Sequence, residues 1–82
     1  MDFQIIIYTT PTCPWCEKLK AWLKKRRLHF EERDTTLETE YYDEVIEKTG
    51  QMAVPVIDIE GKILVGFDEK ALEKAIEIAK KV

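Results

Sequence analysis

The stretch that decides the fold reads Phe3-Gln4-Ile5-Ile6-Ile7-Tyr8-Thr9-Thr10-Pro11-Thr12-Cys13-Pro14-Trp15-Cys16-Glu17-Lys18-Leu19-Lys20-Ala21-Trp22-Leu23-Lys24-Lys25-Arg26-Arg27. Phe3 to Tyr8 is nearly all apolar, which fits a central strand covered on both faces better than an edge strand. Thr9 to Thr12 is a polar loop. Glu17 to Arg27 reads as an amphipathic helix, with Trp15, Leu19, Trp22, Leu23 and Arg26 along one stripe at 3.6-residue spacing. Leu19, Trp22 and Leu23 are core candidates, and Arg26 extends its charge to water. Lys18, Lys20, Lys24, Lys25 and Arg27 fill the other face, a solvated run whose charges suit a helix C-terminus, with a docking patch for an acidic partner as its functional reading.

The two cysteines lie at the junction of strand and helix. With Cys13 as N-cap, Pro14 falls at the first helical position, where a missing N–H costs nothing. Cys16 then falls one turn inward. A thiol attacks only as its thiolate, and a free cysteine near pKa ~8.5 is mostly protonated at neutral pH. A helix N-terminus, with its unpaired N–H groups and partial positive charge, favours the anion. Cys13 is therefore the candidate nucleophile and Cys16 the resolving thiol. A structural zinc needs four Cys or His ligands, and this chain has two cysteines and one histidine. An inert disulfide across so short a loop would remove little unfolded-state entropy. The redox reading itself rests on the strand–CxxC–helix context.

The rest of the chain alternates in kind. Leu28 to Asp34 reads as a second strand, with Leu28 and Phe30 inward and His29 outward. Thr35-Thr36-Leu37-Glu38 has the spacing of a capping box. The helix after it is expected to turn Tyr41, Tyr42, Val45, Ile46 and Thr49 inward. Glu38, Glu40, Asp43, Glu44 and Glu47 are its expected wet side, and Gly50 its C-cap. Val54 to Ile59 and Lys62 to Val65 flank Glu60-Gly61, a β-hairpin with a tight turn. Pro55 stands at the head of a strand, where sheets tolerate it. Asp68 is a plausible N-cap for a last helix with Leu72, Ala75, Ile76 and Ala79 on one stripe. The order is β-α-β-α-β-β-α, with a right-handed first crossover expected.

Composition narrows the function. The 82 residues are enough for one small domain, residues 1–82. Charged residues make up 35% and hydrophobic residues 45%, with a net charge of −3. That balance argues against nucleic acid as a partner. No apolar run is long enough to span a membrane, and the Met1-Asp2-Phe3-Gln4 start has no basic leader. The expectation is a cytoplasmic monomer with no membrane association.

Across essentially its whole length the sequence resembles the glutaredoxin-like redoxins. The resemblance rests on Tyr8 to Cys16, on Val54-Pro55 and on Gly66-Phe67-Asp68. It implies an α/β thioredoxin fold: a four-stranded mixed sheet in order 2-1-3-4, flanked by three helices. It implies a cis peptide before Pro55, lying against the cysteines. It implies a dithiol thiol–disulfide oxidoreductase with Cys13 and Cys16 catalytic. Substrate-binding positions would be Thr12, Pro14, Trp15, Val54, Pro55, Gly66, Phe67 and Asp68. Disulfide-containing proteins are the implied partners. No bound cofactor is implied, and glutathione enters as a co-substrate held by the Val54 backbone and the helix N-terminus at Phe67-Asp68.

Two departures bear on the electron donor. Glutathione-using members usually carry a basic residue three positions before the first cysteine, where this chain has Thr10. They usually have Gly-Gly before the last helix, where this chain keeps only Gly66. A sibling group, recharged by a thioredoxin reductase and feeding ribonucleotide reductase, shares the fold. An iron–sulfur carrier is the alternative of another class. Pro14 argues against it, because proline after the first cysteine usually accompanies oxidoreductase activity in the family.

Overall fold

The computed structural model describes residues 3–36 and 39–80. In chain order the elements are β1 (Ile5–Thr9), α1 (Pro14–Lys25), β2 (Glu31–Asp34), α2 (Thr39–Thr49), β3 (Val56–Ile59), β4 (Lys62–Val65) and α3 (Glu69–Lys80). The sheet order is β2-β1-β3-β4. β1 pairs parallel with β2 and antiparallel with β3, and β3 pairs antiparallel with β4. This is the expected thioredoxin fold, with its mixed sheet and three helices.

All of β1 is buried, and its alternate residues feed two cores. Ile5 and Ile7 pack with Leu19, Trp22 and Leu23 of α1 and with Leu72, Ala75 and Ile76 of α3. Ile6 and Tyr8 pack with Val45 of α2 and Val56 of β3. Thus α1 and α3 cover one face of the sheet and α2 the other. A strand read as covered on both faces is covered on both.

The second strand is shorter than its sequence pattern. Arg27 adopts a left-handed φ of 57°, and the Leu28 N–H returns to the Leu23 carbonyl at 3.1 Å. This closes α1 and delays pairing until Glu31. Leu28 and Phe30 still pack on the core, but from the connection rather than from the strand. His29 is exposed in the same connection.

On α2 the apolar face is narrower than its stripe. Val45 is fully buried, whereas Tyr42 and Ile46 are 44% and 36% exposed. Glu44, expected on the wet side, turns inward instead. It accepts a 2.7 Å hydrogen bond from the Tyr8 hydroxyl and a 2.6 Å bond from Arg33. Lys48 donates to the same Tyr8 oxygen at 3.0 Å and to Asp58 at 2.8 Å. A buried tyrosine needs partners for its hydroxyl, and here one donor and the acceptor capacity are both used. Glu38 of the predicted capping box lies outside the described residues, as does Leu37. The Thr35 hydroxyl donates to the Thr9 carbonyl at 3.1 Å.

The hairpin and caps follow the sequence. Glu60 and Gly61 take φ of 49° and 91°, the pair of left-handed residues that a two-residue hairpin turn requires. Asp68 caps α3 through Oδ1, which accepts from the Lys70 and Ala71 N–H groups at 3.1 and 3.3 Å.

The Tyr8 cluster sets an acid limb of stability. The hydrogen bond from Tyr8 and the pairing with Arg33 hold the Glu44 carboxyl below the usual carboxylate range. A carboxyl lowered by folding stabilises above its unfolded value, ~4.3 for glutamate, and that stability is lost as pH falls through the folded value. Glu44→Gln should cost about 1 kcal/mol at pH 7. The gap between the two proteins should narrow below about pH 4, as read by chemical denaturation across pH.

Candidate active site

The loop after β1 delivers Cys13 to the N-cap of α1, with Pro14 at the first helical position. Cys13 is extended, with φ −107° and ψ 103°, as an N-cap residue must be. Its Sγ accepts a 3.1 Å hydrogen bond from the Cys16 N–H. Its carbonyl accepts from the Glu17 N–H at 3.3 Å, beginning the helical ladder. The Cα atoms of Cys13 and Cys16 stand 5.2 Å apart and the two residues are joined as a disulfide. Cys13 keeps 9% of its surface exposed and Cys16 none. The asymmetry between an outer and an inner sulfur is therefore built into the turn.

A short chain of contacts leads from this turn to Phe67, Gly66 and Pro55. Trp15 is 55% exposed. Its ring lies 6.4 Å from that of Phe67, tilted by 40°. Gly66, next to Phe67, takes φ 85° and donates its N–H to the Pro55 carbonyl at 2.8 Å. The Val54-Pro55 peptide is cis. The loop before α3 thus touches the cysteine turn through the Trp15–Phe67 ring pair and the proline loop through the Gly66–Pro55 hydrogen bond. Thr12 and Pro14 are exposed, Val54 is half-buried and Pro55 is buried. Asp68 is exposed, but its carboxylate is committed to capping α3. Thr10 is half-buried in the approach to the turn.

Lys18 is exposed on the solvated face, as the pattern predicts, but its contact with the site is not among the predicted positions: its ammonium lies 4.5 Å from the centroid of the Trp15 ring. The signal was available: Trp15 and Lys18 are three apart on one helix, the spacing at which side chains meet. Among the described residues, no group of three or more His, Cys, Asp or Glu side chains is placed to hold a metal ion. Among them too, no helix is long and apolar enough to cross a membrane.

The glutaredoxin family profile matches residues 5–64, the span from β1 through β4. The chain belongs to the glutaredoxin family. A glutaredoxin-like 8.6 kDa protein of Clostridium pasteurianum, encoded in a rubredoxin operon, is 41% identical over 73 residues, covering 89% of this chain and 97% of that protein. Glutaredoxin 3 of Escherichia coli is 33% identical over 63 residues, covering 77% of this chain and 76% of its own. The crystal structure of a glutaredoxin from Archaeoglobus fulgidus superposes with a TM-score of 0.82 at 24% identity, covering 90% of this chain and 86% of that one. That last likeness is one of fold. This glutaredoxin is a redox protein of the family type, with its paired cysteines at the start of α1.

The geometry at Cys13 makes a measurable statement. In the reduced protein, an N–H aimed at the sulfur and an unpaired helix N-terminus both favour the thiolate. Cys13 should titrate below the free value of ~8.5, as followed by thiolate absorbance or by the pH dependence of alkylation. A value at or above it would remove the electrostatic argument for Cys13 as nucleophile.

Proposed function

We propose that this glutaredoxin is a dithiol thiol–disulfide oxidoreductase that reduces protein or glutathione mixed disulfides. The observation that carries the proposal is the asymmetric pair at the helix N-cap: Cys13 largely buried but with 9% of its surface open and bonded by an N–H, Cys16 with none. The Cys13 thiolate attacks a substrate disulfide, forms a mixed disulfide and releases one substrate thiol. Cys16 then attacks Cys13 Sγ, releases the second thiol and leaves the Cys13–Cys16 disulfide. This cycle calls on no bound metal or organic group. A reducing cytoplasm is the compartment it fits.

Recharging draws on glutathione or on a thioredoxin-reductase-type enzyme. Supporting glutathione are the family's use of the backbone at Val54 and of the N-terminus of the last helix, where Phe67 meets Trp15 of the cysteine turn. Supporting the reductase is Thr10, which offers no charge where glutathione users usually carry one. A partly exposed charge-assisted contact is worth ~1 kcal/mol, or about fivefold in affinity. That is too little to exclude glutathione. Slow glutathione turnover is therefore expected. An NADPH-coupled assay, run separately with glutathione plus its reductase and with thioredoxin reductase, separates the two donors.

The roles of the cysteines are separable. Cys13→Ser should abolish disulfide reduction, since no accessible nucleophile remains. Cys16→Ser should trap a mixed disulfide with a protein substrate, visible by non-reducing electrophoresis, while retaining activity on glutathionylated substrates. An active Cys13→Ser beside a dead Cys16→Ser would reverse the assignment.

A further inference from the structure

We infer that Lys18, held over the exposed ring of Trp15, is a specificity-determining residue that selects disulfides carrying a carboxylate close to sulfur. The inference rests on the dithiol reading above and names its substrate class. Trp15 lies between the two cysteines and is the most exposed large apolar side chain of the described residues, at 55%. Such a ring beside a nucleophile is a docking wall. Its π face is already met by the Lys18 ammonium at 4.5 Å. A substrate cation therefore finds the cation–π position filled and a like charge above it. A substrate anion finds an ammonium that takes part in no ion pair among the described residues.

The acids nearby are engaged elsewhere. Glu17 pairs with Lys20 at 2.8 Å. Asp68 Oδ1 accepts from two N–H groups of α3. Glu69 accepts from the Trp22 indole N–H at 3.0 Å. Lys20 itself is shared between Glu17 and Glu32. The charge that remains free to meet a substrate against Trp15 is the Lys18 ammonium. Lys18 belongs to α1 and Thr10 to the loop before it, so this site carries its cation on the helix rather than in the preceding loop.

The chemistry is that of the proposed cycle, with electrons balanced. The protein dithiol loses two electrons and two protons and becomes the Cys13–Cys16 disulfide. The substrate disulfide gains them and leaves as its two thiols. Lys18 forms no bond in these steps; it acts on encounter and alignment of the anionic substrate.

Pre-reduced protein, freed of reductant, tests this without any recharging partner. It is mixed with excess 3,3′-dithiodipropionate, bis(2-hydroxyethyl) disulfide or cystamine, which are anionic, neutral and cationic symmetrical disulfides. Remaining protein thiols are alkylated after acid quench. Each rate is divided by that of dithiothreitol with the same disulfide, which removes intrinsic reactivity. The anionic-to-neutral ratio should fall about three- to fivefold in Lys18→Gln and further in Lys18→Glu. Lys18→Arg should preserve it, and added salt should compress the wild-type ratio toward that of Lys18→Gln. An unchanged ratio in Lys18→Gln overturns the inference while leaving the dithiol reading intact. Failure of wild type to reduce any of the three overturns both.

Discussion

Strand β1 has water on neither face, and the placement of the cysteines follows from that. Ile5 and Ile7 must be covered by α1 and α3, and Ile6 and Tyr8 by α2. A strand buried on both faces and paired on both edges cannot shift its register without exposing one apolar set. Its C-terminal end is therefore a fixed point. The loop that leaves it starts from the Thr9 carbonyl, which accepts both the N–H and the hydroxyl of Thr35. Cys13 is reached from that anchor by Thr10, Pro11 and Thr12. The nucleophile candidate is thus positioned by the most buried segment of the molecule while remaining at its surface.

The order of elements, the caps of α1 and α3 and the hairpin turn were legible because each depends on local chemistry. Pro14 and Cys13 declare a helix start, Glu60-Gly61 a hairpin, and Asp68 a cap. The parts that were not legible depend on what lies opposite. The stripe on α2 contains Tyr42 and Ile46, but among the described residues the apolar cluster beneath Val45 is Ile6, Tyr8, Val56 and Ile63. A surface that small covers Val45 and leaves the flanks of the stripe wet. Glu44 looked like one acid among several. It is the one that faces Tyr8, and only the register of α2 on the sheet distinguishes it from Glu40, Asp43 and Glu47. A tyrosine inside an otherwise aliphatic strand was the available clue, since its hydroxyl had to be satisfied somewhere.

The resemblance to glutaredoxins supplied what local chemistry does not contain. Nothing in the residues around Val54 distinguishes a cis from a trans bond before Pro55, and trans is much the commoner. The sheet order likewise followed from the family and not from periodicity. The departures at Thr10 and at the single Gly66 also have meaning only against the family pattern. Thr10 is half-buried, a setting in which a short polar side chain is less costly than an unpaired charge.

Division of labour within α1 explains how one helix serves both stability and selection. Leu19, Trp22 and Leu23 hold it to the sheet, and Arg26 lies 3.7 Å from the Trp22 ring while pairing with Glu73 of α3. The first turn carries none of this packing apart from Cys16, which is buried, so Trp15 and Lys18 are free to differ without unsettling the core. A cation stacked on an aromatic ring occurs at both ends of the helix, but the two are not equivalent. At Trp22 the ring is buried and the arginine closes a helix–helix contact. At Trp15 the ring is exposed beside the reactive sulfur, and the lysine has no carboxylate to answer it within the described chain. The same pairwise interaction is structural where it is covered and available to a substrate where it is not.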